Sequence, residues 1–281
     1  MNILVTGGTG FVGTNLIIRL LKEGHNVVSV DNYSIGSKAN HVEGAIYHNL
    51  DVNDISKLQN DFDIIFHLAG LSRIQPSFSQ PTKTFQSNAC GVEALLEWAR
   101  AKKTKTIYSG SSSKHHNPYQ SPYAFYKYIG EEICRMYRKT YKMPIEIVRF
   151  YNVYGPYEIT YGDWAAVIGL WRHQAEKREP ITIVGDGEQR RDFTHVKDIV
   201  DGLIRIAFSN ETEKEAWELG SGKNYSILEV YELFKNRFGV EKLHLPDQNG
   251  NYRETLRENN AAIDKLRWQP KDRLKDYIES L

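Results

Sequence analysis

Tyr123 and Lys127 stand one helical turn apart, at the head of a stretch patterned as a helix from 121 to 142. A phenol titrates near ~10 in water, so it acts as a base near neutral pH only where its charged form is stabilised. A lysine four residues on puts an ammonium on the same helix face and can supply that charge. Just upstream, Ser109, Ser111, Ser112 and Ser113 crowd the end of an apolar run and offer hydroxyls to share the proton. Together these groups suit removal of a proton from an alcohol, provided another group accepts hydride from the carbon beneath it. Spacing alone is weak: Tyr231 and Lys235 repeat it in an amphipathic stretch, where core packing explains both.

A hydride acceptor has a place in the first thirty residues. The run TGGTGFVG at 6–13 follows the apolar Ile3-Leu4-Val5 and opens a helix over about 12–22. Gly7, Gly10 and Gly13 allow a sharp turn and close approach of a pyrophosphate, with Phe11 and Val12 completing the turn. Free amides at the helix start then face the phosphate charge. The next apolar run ends in Asp31-Asn32, 18 residues after Gly13. A carboxylate there accepts both ribose hydroxyls and repels a 2′-phosphate, so the expected cofactor is NAD in preference to NADP.

The elements holding these residues alternate. Short apolar runs at 3–5, 27–30, 63–68, 106–109 and 145–150 read as strands, separated by helical patterns at 12–22, 53–60, 82–102 and 121–142. Such alternation predicts an α/β fold with a doubly wound parallel sheet. After Pro156 the pattern loosens, with helices near 164–177, 195–208 and 226–238. The expected division is a cofactor-binding domain at 1–153 and a smaller substrate domain at 154–281, with 189–210 packing back onto the first.

Composition narrows the classes. The 281 residues carry 36 Lys+Arg and 35 Asp+Glu, a net charge of 36 − 35 = +1, which gives no general field for nucleic acid. Two cysteines, Cys90 and Cys134, are too few for a disulfide framework, and no His/Cys spacing suggests a metal site. No run approaches a membrane span. The expectation is a cytoplasmic protein without membrane, metal or nucleic-acid partners.

GxxGxxG at 7–13, VDNYSIG at 30–36, HLAG at 67–70 and YAFYK at 123–127 together resemble the extended short-chain dehydrogenase/reductases. RFYNVYGP at 149–156 and VGDGEQRRDFTHVKDIVDG at 184–202 are similar to the nucleotide-sugar epimerase branch, UDP-glucose 4-epimerase and its relatives. The resemblance implies a Rossmann domain and C4 inversion of a nucleotide-sugar through a 4-keto intermediate. It implies Tyr123 as base, Lys127 on the nicotinamide ribose and Ser111 as the catalytic serine, with Ser112 or Ser113 as substitutes or substrate contacts. Asp51 and Val52 match an adenine contact. Leu68, Ala69 and Gly70 match the ribose and nicotinamide lining, with Asn88 beneath them and Ser109 at the strand end. Asn152 and Arg191 match groups on the substrate diphosphate, a task suited to a guanidinium. For Arg191 the structural alternative is an ion pair with Asp192 or Asp198. A homodimer through helices around 88–102 and 121–142 is also implied.

The chain departs from the pattern in places. Only 12 positions separate Ser111 from Tyr123, about half the usual span, and Lys114-His115-His116-Asn117-Pro118 replaces a loop that borders the sugar; surface positions are expected for the two histidines. Gln248 stands where a second phosphate arginine belongs, leaving Arg253 as a stand-in. Ser112 and Ser113 occupy the positions of the Asp-Glu pair that 4,6-dehydratases need for elimination. The rival readings are a nucleotide-4-ketosugar reductase, which Asp31 disfavours, and a non-catalytic or RNA-associated protein on the same scaffold.

Overall fold

The computed structural model describes residues 1–281. Strands β1 (Asn2–Thr6), β2 (Asn26–Asp31), β3 (Ile46–Asn49), β4 (Ile64–His67), β5 (Lys105–Ser111) and β6 (Ile145–Phe150) are joined by helices on either side. These are α1 (Phe11–Lys22), α2 (Ile74–Ser79), α3 (Pro81–Phe85), α4 (Gly91–Arg100) and α5 (Pro122–Tyr141). Then follow β7 (Val153–Tyr154), α6 (Val167–Glu176), β8 (Ile181–Val184), β9 (Arg190–Asp192), β10 (Thr194–His195) and α7 (Val196–Phe208). The chain ends with β11 (Trp217–Leu219), β12 (Asn224–Ser226), α8 (Ile227–Phe238), β13 (Lys242–Leu245), α9 (Ala261–Leu266) and α10 (Leu274–Ser280).

Seven strands form one sheet in the order β11-β6-β5-β4-β1-β2-β3, every pair parallel. The order reverses beside β1, between β4 and β2, and there the strand ends open a crevice of the kind that holds ligands in such sheets. Two strands escaped the sequence reading. β3, Ile46-Tyr47-His48-Asn49, is a short edge strand with no apolar run to mark it; β11 is a three-residue piece from the far side of the chain, recruited beside Val148–Phe150.

Both faces of the sheet are buried, which explains the near-continuous apolar runs. On one face Leu16, Ile17 and Leu20 of α1 and Ile199, Leu203 and Ile206 of α7 pack on Ile3, Val5, Phe66 and Ile107. On the other, Leu95 and Leu96 of α4 and Cys134 and Tyr137 of α5 pack on Leu4, Ile65, Tyr108 and Ile147. A third core joins Trp171, Ile181, Ile183, Tyr231 and Phe234 among the elements after β6. Tyr231, the second tyrosine of the YxxxK spacing, is 2 % exposed there and donates to the Val240 carbonyl oxygen at 3.2 Å, as core packing requires.

The helix expected over 82–102 is interrupted. Gln86–Cys90 forms a π-turn between α3 and α4, a local irregularity that occurs often near functional sites. It brings Asn88 under Leu71, whose N–H donates to Asn88 Oδ1 at 2.8 Å and whose carbonyl accepts from Asn88 Nδ2 at 2.8 Å. No helix of the structure is long and apolar enough to cross a membrane.

Candidate active site

The turn from β1 into α1 is built for a close-lying ligand. Gly7 has φ +72°, and a Cβ there would lie 2.7 Å from the Ala69 amide nitrogen. A Cβ on Gly13 would lie 2.2 Å from the Gly7 carbonyl oxygen. Gly10 caps α1 without a side-chain bond, so the first amides of the helix have only a ligand or water to serve. Asp31, 8 % exposed, accepts from the Thr9 amide at 3.0 Å and the Tyr33 amide at 2.8 Å. Each carboxylate oxygen keeps a lone pair for a ribose hydroxyl. Asp51 begins the next turn, accepting from Asn53 N at 2.9 Å and from Asn32 Nδ2 at 2.6 Å. This glycine crevice, helix start and ribose-facing carboxylate fit NAD.

The cleft continues from there to the serines, about 910 Å³ in all. It is lined by Gly7, Gly10, Phe11, Val12, Gly13, Asp31, Asn32, Asp51 and Val52 at one end, and by Leu68, Ala69, Gly70 and Ser109 in the middle. Ser111, Ser112, Ser113, Tyr123, Lys127, Asn152 and Arg191 complete the wall toward the other end. Asn88 is the exception among the expected cofactor residues. It lies behind the wall, within the π-turn, with both ends of its amide held by Leu71 and its Oδ1 beside Gly70 of the lining.

Ser121 accepts from Ala124 N at 3.1 Å and Pro122 occupies the first turn of α5, so the helix begins one residue before Tyr123. That start carries the phenol to the end of β5. Tyr123 Oη donates to Ser111 Oγ at 3.1 Å, and Ser113 Oγ donates to the same oxygen at 2.9 Å. Burial pushes the Tyr123 phenol up, against the pull of the Ser111 bond and of the Arg73 guanidinium. Lys127 Nζ donates to the Ser109 carbonyl oxygen at 2.9 Å, and burial pulls its ammonium down to about 8 against the attraction of Glu131. Burial, with Lys127 nearby, holds His67 neutral, down to about 3, with Nδ1 on Thr6 Oγ1 at 2.7 Å.

The shortened segment between Ser111 and Tyr123 is pinned at both histidines, which corrects the expectation of surface positions. His115 bridges Glu218, at 2.5 Å, and Glu258, at 2.9 Å. Glu218 also pairs with Arg149, which bonds Glu131 of α5 at 2.8 Å, and it accepts from Tyr151 Oη at 2.9 Å. A buried ionic network thus ties β6, β11 and α5 to the serine loop. His116 stacks on Tyr252, ring centres 3.9 Å apart.

Arg191 forms neither of the ion pairs considered for it. Asp192 binds Ser221 and Gly222, and Asp198 pairs with Arg273. The Arg191 guanidinium donates to the Arg190 carbonyl oxygen and to Asn251 Oδ1, and burial pulls it down to about 10. A half-buried cation without a counter-charge suits an anionic ligand. Asn152 Nδ2 is taken up by the Asp192 carbonyl oxygen and Thr255 Oγ1, both at 3.0 Å. Arg253 is no substitute for a phosphate arginine: it binds both oxygens of Asp186 at 2.9 Å on the surface, while Gln248 lines the cleft.

The NAD dependent epimerase/dehydratase family model matches residues 3–220. The chain belongs to this family. UDP-glucose 4-epimerase of Mycolicibacterium smegmatis is 30% identical, the match covering 99% of this chain and 96% of the relative. The UDP-glucose 4-epimerase of Thermotoga maritima, solved with UDP-glucose, superposes with a TM-score of 0.91 at 27% identity, over 99% of this chain and 96% of the other. UDP-glucuronic acid 4-epimerase of Bacillus cereus, solved with UDP-glucuronic acid and NAD, gives 0.90 at 28% identity, covering 99% and 97%. As a member of the epimerase/dehydratase family, the chain is NAD-dependent.

Within that frame, sequence reasoning missed Arg73, Glu158 and Tyr252, all of which line the cleft. Arg73 follows HLAG by three residues, and Tyr252 follows Gly250 by two, signals too short to stand alone. Glu158 has no sequence signal; burial raises its carboxyl to about 7.

Proposed function

We propose that this protein is an NAD-dependent epimerase of a nucleotide-sugar, inverting C4 of a UDP-hexose through a 4-keto sugar. NAD, when bound, supplies a reversible hydride acceptor beside the sugar carbon; Gly7, Gly10, Gly13, Asp31 and Lys127 would hold it. Tyr123 takes the C4 hydroxyl proton and returns it after the sugar has turned about its diphosphate link. Ser111 hydrogen-bonds the reacting oxygen, and Ser112 and Ser113 border the sugar. Arg191 meets the diphosphate with Asn152 beside it in the same wall, so residues 1–153 form the cofactor wall and part of the substrate wall, and 154–281 contribute Arg191 to the latter.

The observation that carries this reading is the Tyr123–Ser111 bond at 3.1 Å, set between a dinucleotide cradle and an unpaired guanidinium in one cleft. Proton NMR of UDP-glucose, UDP-N-acetylglucosamine and UDP-glucuronic acid incubated with the protein tests it. Inversion without net cofactor oxidation is expected, with kcat lowered about 10²- to 10⁴-fold in Tyr123→Phe. Equal rates in mutant and wild type would remove the mechanism, and stoichiometric oxidation of NADH would turn the reading to a reductase.

A homodimer through α4 and α5 belongs to the same reading, supported by the exposed apolar side chains Phe85 of α3 and Met136 and Tyr141 of α5. Light scattering would find twice the chain mass. A cytoplasmic location fits the two free thiols, Cys90 and Cys134.

A further inference from the structure

One aromatic side chain in the cleft has no place in the mechanism so far. Tyr252 sits on the loop after β13, yet it faces Ser113 and Tyr123 across the cleft. Its hydroxyl is buried and makes no hydrogen bond of ordinary geometry, although Ser113 lies close enough to draw on its phenol. A buried, unpaired phenolic hydroxyl is costly, and native structures rarely leave one unless something binds it.

The loop is held so that this group points inward. Gly250 takes φ +75°, and a Cβ there would lie 3.0 Å from Ile74 Cγ2, so the backbone presses against α2. Gln75 Nε2 donates to the Asn249 carbonyl oxygen at 2.8 Å, and Arg191 Nη2 donates to Asn251 Oδ1 at 2.6 Å. On the other side the Tyr252 ring lies flat on His116, at an interplanar angle of 12°. Burial keeps this imidazole below its ordinary range, hence neutral and suited to stacking. The histidine comes from the short segment between Ser111 and Tyr123.

We infer that Tyr252 is a substrate-binding residue whose hydroxyl donates a hydrogen bond to the pyranosyl ring of the nucleotide-sugar, on the side of Ser113, with His116 as the positioning residue that holds it there. Tyr123 Oη and Ser113 Oγ both spend their protons on Ser111 Oγ, so the donors left for a ligand are Ser111, which meets the reacting oxygen, and Tyr252. Burial pushes its phenol up to about 12, and the donor keeps its proton at working pH. The inference rests on the nucleotide-sugar reading above.

Steady-state kinetics of the NAD-loaded protein test it, with free UDP as a competitive inhibitor in the same assays. Tyr252→Phe is expected to lower kcat/KM for the UDP-sugar by about three- to tenfold, the loss of one hydrogen bond, with the inhibition constant of UDP unchanged. His116→Ala should shift kcat/KM the same way, and His116→Phe, which keeps the stack, should restore it. A Tyr252→Phe value within twofold of wild type overturns the inference while leaving the epimerase reading intact. So does an equal loss in UDP inhibition, which would mark a general disturbance of the loop. If the wild type turns over no UDP-sugar and UDP does not inhibit, the function itself fails and this inference with it.

Discussion

Lys127 donates its ammonium to the carbonyl oxygen of Ser109, 2.9 Å away, and makes no hydrogen bond to the phenol of Tyr123. The cation that pulls the phenol down is Arg73, from the segment before α2. Removing a positive charge raises the pKa of a neighbouring acid, so the base form of Tyr123 would then require higher pH. In Arg73→Met, the acid limb of kcat/KM should move up by about one pH unit, while Arg73→Lys keeps most of the wild-type profile. An unmoved limb in Arg73→Met would show that the phenol does not feel this charge.

Asp31 sets the choice between NAD and NADP by charge as well as by hydrogen bonding. Asp31→Ser removes the repulsion of a 2′-phosphate and an acceptor for the ribose. Affinity for NAD is expected to fall about tenfold or more, with NADP gaining relative to NAD. Fluorescence titration of both nucleotides against wild type and mutant measures the ratio directly.

The ionic network under the serine loop is a strong but fragile support. Arg149, 4 % exposed, lies between Glu131 and Glu218, each 1 % exposed. Taking away the shared cation leaves two buried carboxylates with only their outer partners, Arg135 on Glu131 and His115 on Glu218. Arg149→Met should therefore cost about 3–5 kcal/mol in urea unfolding. The Glu218 carboxyl is held down at about 2, despite burial, by His115, the Glu258 amide and Tyr151. A carboxyl lowered on folding stabilises above its unfolded pKa, and that contribution fades as pH falls from about 4.5 toward 2. Unfolding midpoints across that range should drop less steeply in Glu218→Gln than in wild type.

Glu158 works in the opposite sense. Burial raises its carboxyl to about 7, outweighing the bond from Tyr277 Oη at 3.1 Å. A carboxyl that binds its proton more tightly when folded favours the native state at low pH. Stability from this group falls as pH rises from about 4.5 through 7. Glu158→Gln should be as stable as wild type near pH 5 and more stable near pH 8, by up to about 3 kcal/mol. Melting temperatures at the two pH values check the crossover.

What the sequence by itself determined lies in short stretches. The turn at 6–13, the strand–helix alternation and the placement of Tyr123 and Lys127 one turn apart depend on neighbours within a few residues, where glycine freedom and helical period decide geometry. The carboxylate at Asp31 was legible for the same reason, as a strand end after a glycine turn. Tertiary structure decided the rest. The π-turn at Gln86–Cys90, and the bonds that Asn88 makes there to Leu71, were not written in the helical pattern. Arg73 and Tyr252 reached the cleft from segments 50 and 129 positions away from Tyr123, and β11 joined the sheet with Trp217 opposite Val148, 69 positions earlier in the chain. Such contacts follow from which surfaces bury together, and no local period records that. The two histidines show the contrast most directly: their place in a short loop is written in the chain, but their partners, Glu218 and Tyr252, come only with the fold.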